Sequence, residues 1–213
     1  MSDAVRHLQL PLAPDEARRL PLGAMVTLTG TVFTGRSRFH IRAVEQGVVP
    51  PVDFAAVNAF FHVGPVMRRA GDRWSVVSIE PTSSIRFERY GGAVVRQLGL
   101  RTLIGKTTMG RGTAEALREV GGVHLTKIGV CGNQLAQQVA RVREVHFLDE
   151  LGATEATWVL DVERFGPFFV DIDAHGRNYF EQLDADERAR LPDVYRRLGI
   201  PDGFAYTPVD PEP

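Results

Sequence analysis

Cysteine occurs once in this 213-residue chain, at Cys131. A lone thiol excludes an internal disulfide framework and fits the reducing cytoplasm. It also excludes an iron–sulfur cluster held by three or four thiolates of this chain alone. Long apolar runs are missing as well. None approaches the about 18 residues a membrane span needs, and the N-terminus has no signal-peptide pattern, so a cytoplasmic protein without a membrane partner is expected. Neither sign of charge is in excess: 25 Lys and Arg against 26 Asp and Glu leave a formal net charge of −1. That balance argues against a nucleic-acid partner and against an acidic disordered tail. The GxGxxG, Walker, HExxH and GxSxG signatures are absent, which removes the common nucleotide-binding and hydrolase readings. No internal repeat or low-complexity tract is present. What remains is an ordinary globular composition, 44% hydrophobic and 24% charged, in a length that suits one generous domain or one and a half.

The chain is organised around Ser78–Gly110, SIEPTSSIRFERYGGAVVRQLGLRTLIGKTTMG. The β-branched and aromatic run Trp74–Ile79 reads as a strand that Pro81 ends. Thr82, Ser83 and Ser84 are N-cap types, and Ile85, Val94, Val95 and Leu98 suit a mostly buried helical stripe. A short strand, Leu103–Ile104, then ends in Gly105-Lys106. Strand-to-helix turns present backbone N–H groups and the positive end of a helix, a natural seat for a carboxylate or phosphate. Two cations, Arg86 and Lys106, stand around that seat with three hydroxyls, and a small anion is the ligand they suit.

Around this stretch the elements mix. Residues 1–24 read as an N-terminal arm, with LQLPL a short edge segment and Pro14–Arg19 at most a short helix. Met25–Thr34 alternates as a strand and runs into Gly35-Arg36, where a helix to about Gln46 begins. Ala59–Val63 is a strand, and Val66–Arg69 with Trp74–Ile79 forms a hairpin about the Ala70-Gly71-Asp72 turn. Gly112–Val120 reads as a helix capped by Thr113 and closed by Gly121-Gly122. Strands are expected at Val123–Val130, Val142–Leu148, Ala156–Val162 and Phe168–Ile172, with a helix over Gly132–Ala140 and a turn at Gly166-Pro167. Cys131 reads as a small buried residue, and His175 in DIDAHG as a turn residue. A polar helix from about Asp186 to Leu198 and a fraying Pro-rich tail complete the chain. Alternating β-α units and strand pairs make an α/β domain with a mixed sheet.

GTVFTGRSRFHIR, AFFHVGPVMRRAGDRWSVVSIEPTSSIRF, LIGKTTMG and LGATEATWVLDVERFGPFFVDIDAHGRNYF resemble, in that order, the β subunits of L(+)-tartrate dehydratases. They are similar, more distantly, to the C-terminal domain of class I fumarases. The resemblance covers roughly residues 22–182. It implies a swivelling β/β/α domain over 25–182, with a C-terminal helix and tail over 183–213. It implies a hydro-lyase whose [4Fe–4S] cluster is supplied by a partner, a cluster-bearing α subunit, in a hetero-oligomer or homodimer. The motifs also imply the site residues. Arg36 in TGRSRFH matches an arginine that binds a substrate carboxylate, and His40 matches a histidine of the same helix. Thr82 matches the hydroxyl that exchanges a proton with substrate, Ser83 its neighbour, Arg86 a second carboxylate-binding arginine, and Lys106 the substrate lysine. His62, at the strand end beside them, reads either as a packed strand-end residue or as a pocket wall, and is counted among the substrate-binding residues.

These residue types make chemical sense. A small dicarboxylate needs two cationic anchors, and arginine forks bind carboxylates bidentately. Eliminating water requires a proton removed next to a carboxylate, and a Lewis acid on the leaving hydroxyl. The chain also departs from the family pattern: Glu80 stands for a glycine, Ser83 for a threonine, Phe87 for a methionine, and Thr107-Thr108 for paired glycines. Two β-branched residues narrow and stiffen a turn that glycines would let close around a carboxylate. The alternative reading is therefore a family member recruited to a specialised pathway. It would catalyse a cluster-independent isomerisation, Michael-type addition or cyclisation on an activated carboxylic acid. A non-catalytic binding subunit is the third reading.

Overall fold

The computed structural model describes residues 4–129, 131–201 and 204; the end of the strand expected to reach Val130 and nearly all of the Pro-rich tail lie outside the described residues. The first half of the chain supplies β1 (Arg6–Gln9), α1 (Pro14–Arg18), β2 (Met25–Gly35), α2 (Ser37–Glu45), β3 (Ala59–His62), β4 (Val66–Ala70) and β5 (Arg73–Ser78). A 3₁₀ turn (Ser84–Phe87), α3 (Glu88–Leu98), β6 (Thr102–Gly105), α4 (Arg111–Val120) and β7 (Val123–Thr126) come next. Then come α5 (Gly132–Gln137), β8 (Val139–His146), α6 (Leu148–Leu151), β9 (Thr157–Ile172) and α7 (Tyr179–Leu198). Two compact units divide the chain, Met1–Tyr179 and Phe180–Pro213. The second holds nearly all of α7, along which Arg188 pairs with Asp184 at 2.8 Å.

The first unit is the mixed α/β domain expected. Seven strands lie in the order β1-β2-β3-β6-β7-β9-β8, and β2 also pairs with β9. That extra pairing closes β2, β3, β6, β7 and β9 into a ring. β2, β3, β6 and β7 run parallel, and β9 returns antiparallel. Side chains alternate across the sheet. Phe61, Ile104, Leu125 and Trp158 point into one core, with Val26, Leu28 and Phe168. Their neighbours Phe60, Leu103 and Val159 point the other way, into a second core covered by Phe39 and Ala43 of α2, Val94 and Val95 of α3, and Leu117 of α4. β4 and β5 form the separate hairpin that the Gly71 turn signals.

Several boundaries differ from the sequence reading. Ala156–Val162 and Phe168–Ile172 belong to one strand, β9, and Gly166-Pro167 sits inside it with a cis peptide bond rather than ending it. The Gln138 side chain explains the continuity. It accepts from the Gly166 N–H at 3.0 Å and donates to the Gly166 carbonyl at 3.2 Å, replacing the ladder that Pro167 cannot supply. The helix expected through Ala140 ends at Gln137, because β8 already pairs with β9 from Val139. The last helix begins at Tyr179, seven residues before Asp186. Cys131 is exposed rather than buried: β7 ends at Thr126, which leaves Cys131 outside the sheet as the N-cap of α5.

Candidate active site

The parallel strands bring their C-terminal ends to one edge. Gly35 of β2 lies opposite His62 of β3, Phe61 opposite Ile104 of β6, and Gly105 opposite Thr126 of β7. The crevice outside such strand ends is where ligands of α/β sheets bind. Arg36 comes directly after β2 there, Lys106 after β6, and Lys127 after β7.

Between the ends of β3 and β6 a strap from Pro81 to Ser84 is wedged in. Pro81 bridges to Val63, and Ser83 bridges to Lys106. Thr82 N–H donates to the His62 carbonyl at 2.6 Å, Lys106 N–H to the Thr82 carbonyl at 3.2 Å, and Ser84 N–H to the Lys106 carbonyl at 2.8 Å. The two residues expected to do chemistry are thus joined backbone to backbone, and their side chains take no part in the joint. Arg86 is exposed two residues beyond Ser84. Among the described residues neither Arg86 nor Lys106 forms an ion pair with a carboxylate, so both charges are available to an anion. Arg36 is half-buried, 3.9 Å from Glu155 across Nε, and that Nε has no hydrogen-bond partner among the described residues. Its stem lies against Gly64, where a Cβ would come within 2.8 Å of Arg36 Cδ.

His62 is brought to the site but lies beneath it, fully buried. Burial pushes its imidazole well below the ordinary value near 6.5, and the neighbouring His40 and His124 push the same way. It holds Thr82 through its carbonyl and does not line the crevice. His40 stacks on Phe87 with ring centroids 4.7 Å apart, and burial pushes its pKa down to about 3. Both rings are neutral at ordinary pH. Lys127 donates its Nζ to the Pro167 carbonyl at 3.1 Å, and burial lowers its pKa.

The N-termini of α2, α4 and α5 already hold carboxylates of the chain itself. Glu88 accepts from Gly110 N–H at 2.7 Å, from Thr113 N–H at 3.1 Å and from Thr113 Oγ1 at 2.7 Å, so Glu88 rather than Thr113 caps α4. Glu155 accepts from Arg38 N–H at 3.0 Å at the start of α2. Glu80, whose charge stood next to the anion site in the sequence, accepts from Gly132 N–H at 2.9 Å at the start of α5. Those three helix ends are therefore already met by negative charge, whereas the Ile85 N–H beyond the strap is met by the Thr107 hydroxyl.

The Lys106 turn has a strained shape. Thr107 sits at φ 61°, the left-handed region that a β-branched residue rarely adopts. Its Oγ1 accepts from the Ile85 N–H at 3.4 Å, and Thr108 Oγ1 accepts from Asn178 Nδ2 at 2.9 Å. The chain keeps a glycine-like backbone at Thr107 and adds a hydroxyl over the strap.

Sequence reasoning singled out His62 and Ser84 but missed the buried hydrogen-bond chain that joins them. Ser84 is not an N-cap, since its Oγ lies 2.9 Å from His62 Nδ1 and 3.0 Å from His124 Nε2. His124 Nδ1 lies 2.6 Å from Asp171 Oδ1, and all four side chains are fully buried. The available signal was a histidine and an aspartate inside two apolar strands, VHLT and FFVDI.

Comparison with known proteins bears on this arrangement. The family model described as fumarase C-terminus matches residues 2–183. The L(+)-tartrate dehydratase subunit beta of Escherichia coli (strain K12) is 36% identical over 171 residues, 80% of this chain and 84% of that protein. The protein of the same name from Shigella boydii serotype 4 is likewise 36% identical over 171 residues, 80% of this chain and 84% of that protein. A Geobacillus stearothermophilus protein provisionally named fumarate hydratase class I is 35% identical over 185 residues, 86% of this chain but 35% of that longer protein. Match and identities together show that the chain belongs to the fumarase C-terminus family.

Proposed function

We propose that this chain is the β subunit of a two-component hydro-lyase that adds or eliminates water at a hydroxy-dicarboxylate. The observation that carries the reading is the Thr82–Lys106 joint, with Arg86, which pairs with no carboxylate among the described residues, four residues after Thr82, and Arg36 at a neighbouring strand end. The names of the relatives, tartrate dehydratase subunit beta and fumarate hydratase, support the reaction class.

Arg36 and Arg86 bind the substrate carboxylates as forks, and Ser83 offers a further hydroxyl. Thr82 moves the proton at the carbon next to a carboxylate. Lys106 faces the negative charge that builds on that carboxylate as the proton leaves. A threonine hydroxyl is a weak base alone, so a charged neighbour from the partner subunit assists it.

The chain itself does not suit a [4Fe–4S] cluster. Cys131 is its single thiol and is exposed, and among the described residues no three His, Cys, Asp or Glu side chains gather as metal ligands. We assign the cluster to a partner α subunit in the cytoplasm, and its chemistry stays with that subunit. Among the described residues no helix is long and apolar enough to cross a membrane.

A second reading, cluster-independent isomerisation, Michael-type addition or cyclisation of an activated acid, is favoured by one observation. Thr107 Oγ1 covers the Ile85 N–H, a donor that a turn without that side chain would leave to the ligand. Anaerobic co-expression with the neighbouring candidate α subunit separates the two. About four irons per heterodimer with turnover of tartrate, malate or fumarate is expected. No partner, no iron and no dicarboxylate turnover would sink the hydro-lyase.

A further inference from the structure

With Asp171 ionised and His124 neutral, the buried chain Asp171–His124–Ser84–His62 has a single direction. An ionised carboxylate only accepts, so His124 Nδ1–H donates to Asp171. Nε2 of the neutral His124 is then an acceptor and takes the single proton of Ser84. Ser84 Oγ in turn accepts from His62 Nδ1–H, which leaves His62 Nε2 bare. Neither that nitrogen nor Asp171 Oδ2 has a partner among the described residues. One buried carboxylate thus fixes the tautomers of two histidines on different strands.

Ser84 is where this direction meets the candidate site. Its backbone N–H donates to the Lys106 carbonyl at 2.8 Å. Its hydroxyl occupies the space above Gly105, where a Cβ would collide with Oγ. Through one side chain the strap is tied to β3 at His62, to β7 at His124, and through His124 to β9 at Asp171. Packing does not require this. A leucine or phenylalanine would fill the same interior without the cost of desolvating a carboxylate, and such networks are retained where they specify one arrangement.

We propose that Asp171, His124 and Ser84 are positioning residues, a direction-locked hydrogen-bond chain that holds the Thr82–Lys106 joint in register with the substrate cations. None of them touches the crevice, so the effect on catalysis is indirect and rests on the hydro-lyase reading. The chain's direction and its hold on Lys106 do not rest on it.

The test uses the full chain with its partner, and two variants, Ser84→Ala and Asp171→Asn. Ring-nitrogen NMR of the wild type should show His62 and His124 as neutral Nδ1–H tautomers. Asp171→Asn, which puts an amide donor where only an acceptor stood, should populate the Nε2–H form of His124. Ser84→Ala should release His62 into mixed tautomers and speed hydrogen exchange at the Lys106 amide. In both variants kcat should fall by about 10²-fold, the scale of a small misplacement, with KM within about threefold. Wild-type His62 in the Nε2–H form, or variants with unchanged Lys106 exchange and unchanged kcat, would overturn the proposal. Should Ser84→Ala fail to fold, the isosteric Asp171→Asn carries the same readouts. A complex that turns over no hydroxy acid at all sinks the hydro-lyase, while tautomers and Lys106 exchange still decide this chain.

Discussion

Lys106 N–H donates to the Thr82 carbonyl at 3.2 Å, a joint of backbone groups that leaves both side chains out of it. Among the described residues Thr82 is held by backbone hydrogen bonds, to His62 below and Lys106 beside it. Thr82→Ala should therefore leave the fold intact, with stability changed by less than about 0.5 kcal/mol. Turnover by the assembled enzyme should fall by about 10²–10⁴-fold if Thr82 transfers the proton. Matched urea titrations and single-turnover assays check the pair of expectations. Full activity in the variant would remove Thr82 from the chemistry.

Thr107 tests the turn from the opposite direction. Its φ of 61° is unfavourable for a β-branched side chain, and glycine would relieve about 1–2 kcal/mol of that strain. The hydrogen bond it would forfeit, to Ile85 N–H at 3.4 Å, is long and weak. Thr107→Gly is expected to raise the urea midpoint. It should also uncover the Ile85 N–H and lower KM for a dicarboxylate. A stabilised variant with unchanged KM would show that the hydroxyl does not shape the ligand site.

How much of this was legible in the sequence depends on the range of the interactions. The strands around Met25–Gly35 and Ala59–His62 arise from local alternation, and the hairpin from its Gly71 turn. The strap motif and Lys106 were found because residue type and spacing are local too. Glu88, Glu80 and Glu155 were not placed, since each caps a helix other than the one beside it in a readable motif. Glu88 and Gly110 are joined across a helix and a strand, and no periodicity reports that. The Ser84 hydroxyl looked like an N-cap for the same reason: a serine before a helix has an ordinary local partner, and only the closed sheet brings His124 to it. β9 looked like two strands because Pro167 signals a break, and the compensating Gln138 amide comes from a distant strand end.

Glu88 gives a measurable case of that long-range capping. Its carboxylate accepts from two backbone N–H groups and one hydroxyl at the start of α4, within a partly buried site. Glu88→Gln keeps the shape but removes the charge and turns one acceptor into a donor facing donors. A loss of about 1–3 kcal/mol is expected. Hydrogen exchange at the Gly110 and Thr113 amides should rise with it. Glu115→Gln, on the exposed face of the same helix, should change neither.

Acid should destabilise the domain through its neutral histidines. His40 has its pKa pushed down to about 3 by burial, and His62 is also lowered well below the solvent value by burial and by its histidine neighbours. In the unfolded chain both return toward about 6.5. Between those limits the unfolded state binds more protons than the folded one, so stability is complete above pH 6.5 and falls as pH drops toward 3. His40 contributes a slope of about 1.4 kcal/mol per pH unit in that window, and His62 acts in the same direction. Urea midpoints taken between pH 7 and pH 4 should track this slope. In His40→Asn, which cannot titrate, the slope should be shallower by one histidine's share. An unaltered slope in that variant would mean that His40 is already protonated in the folded domain.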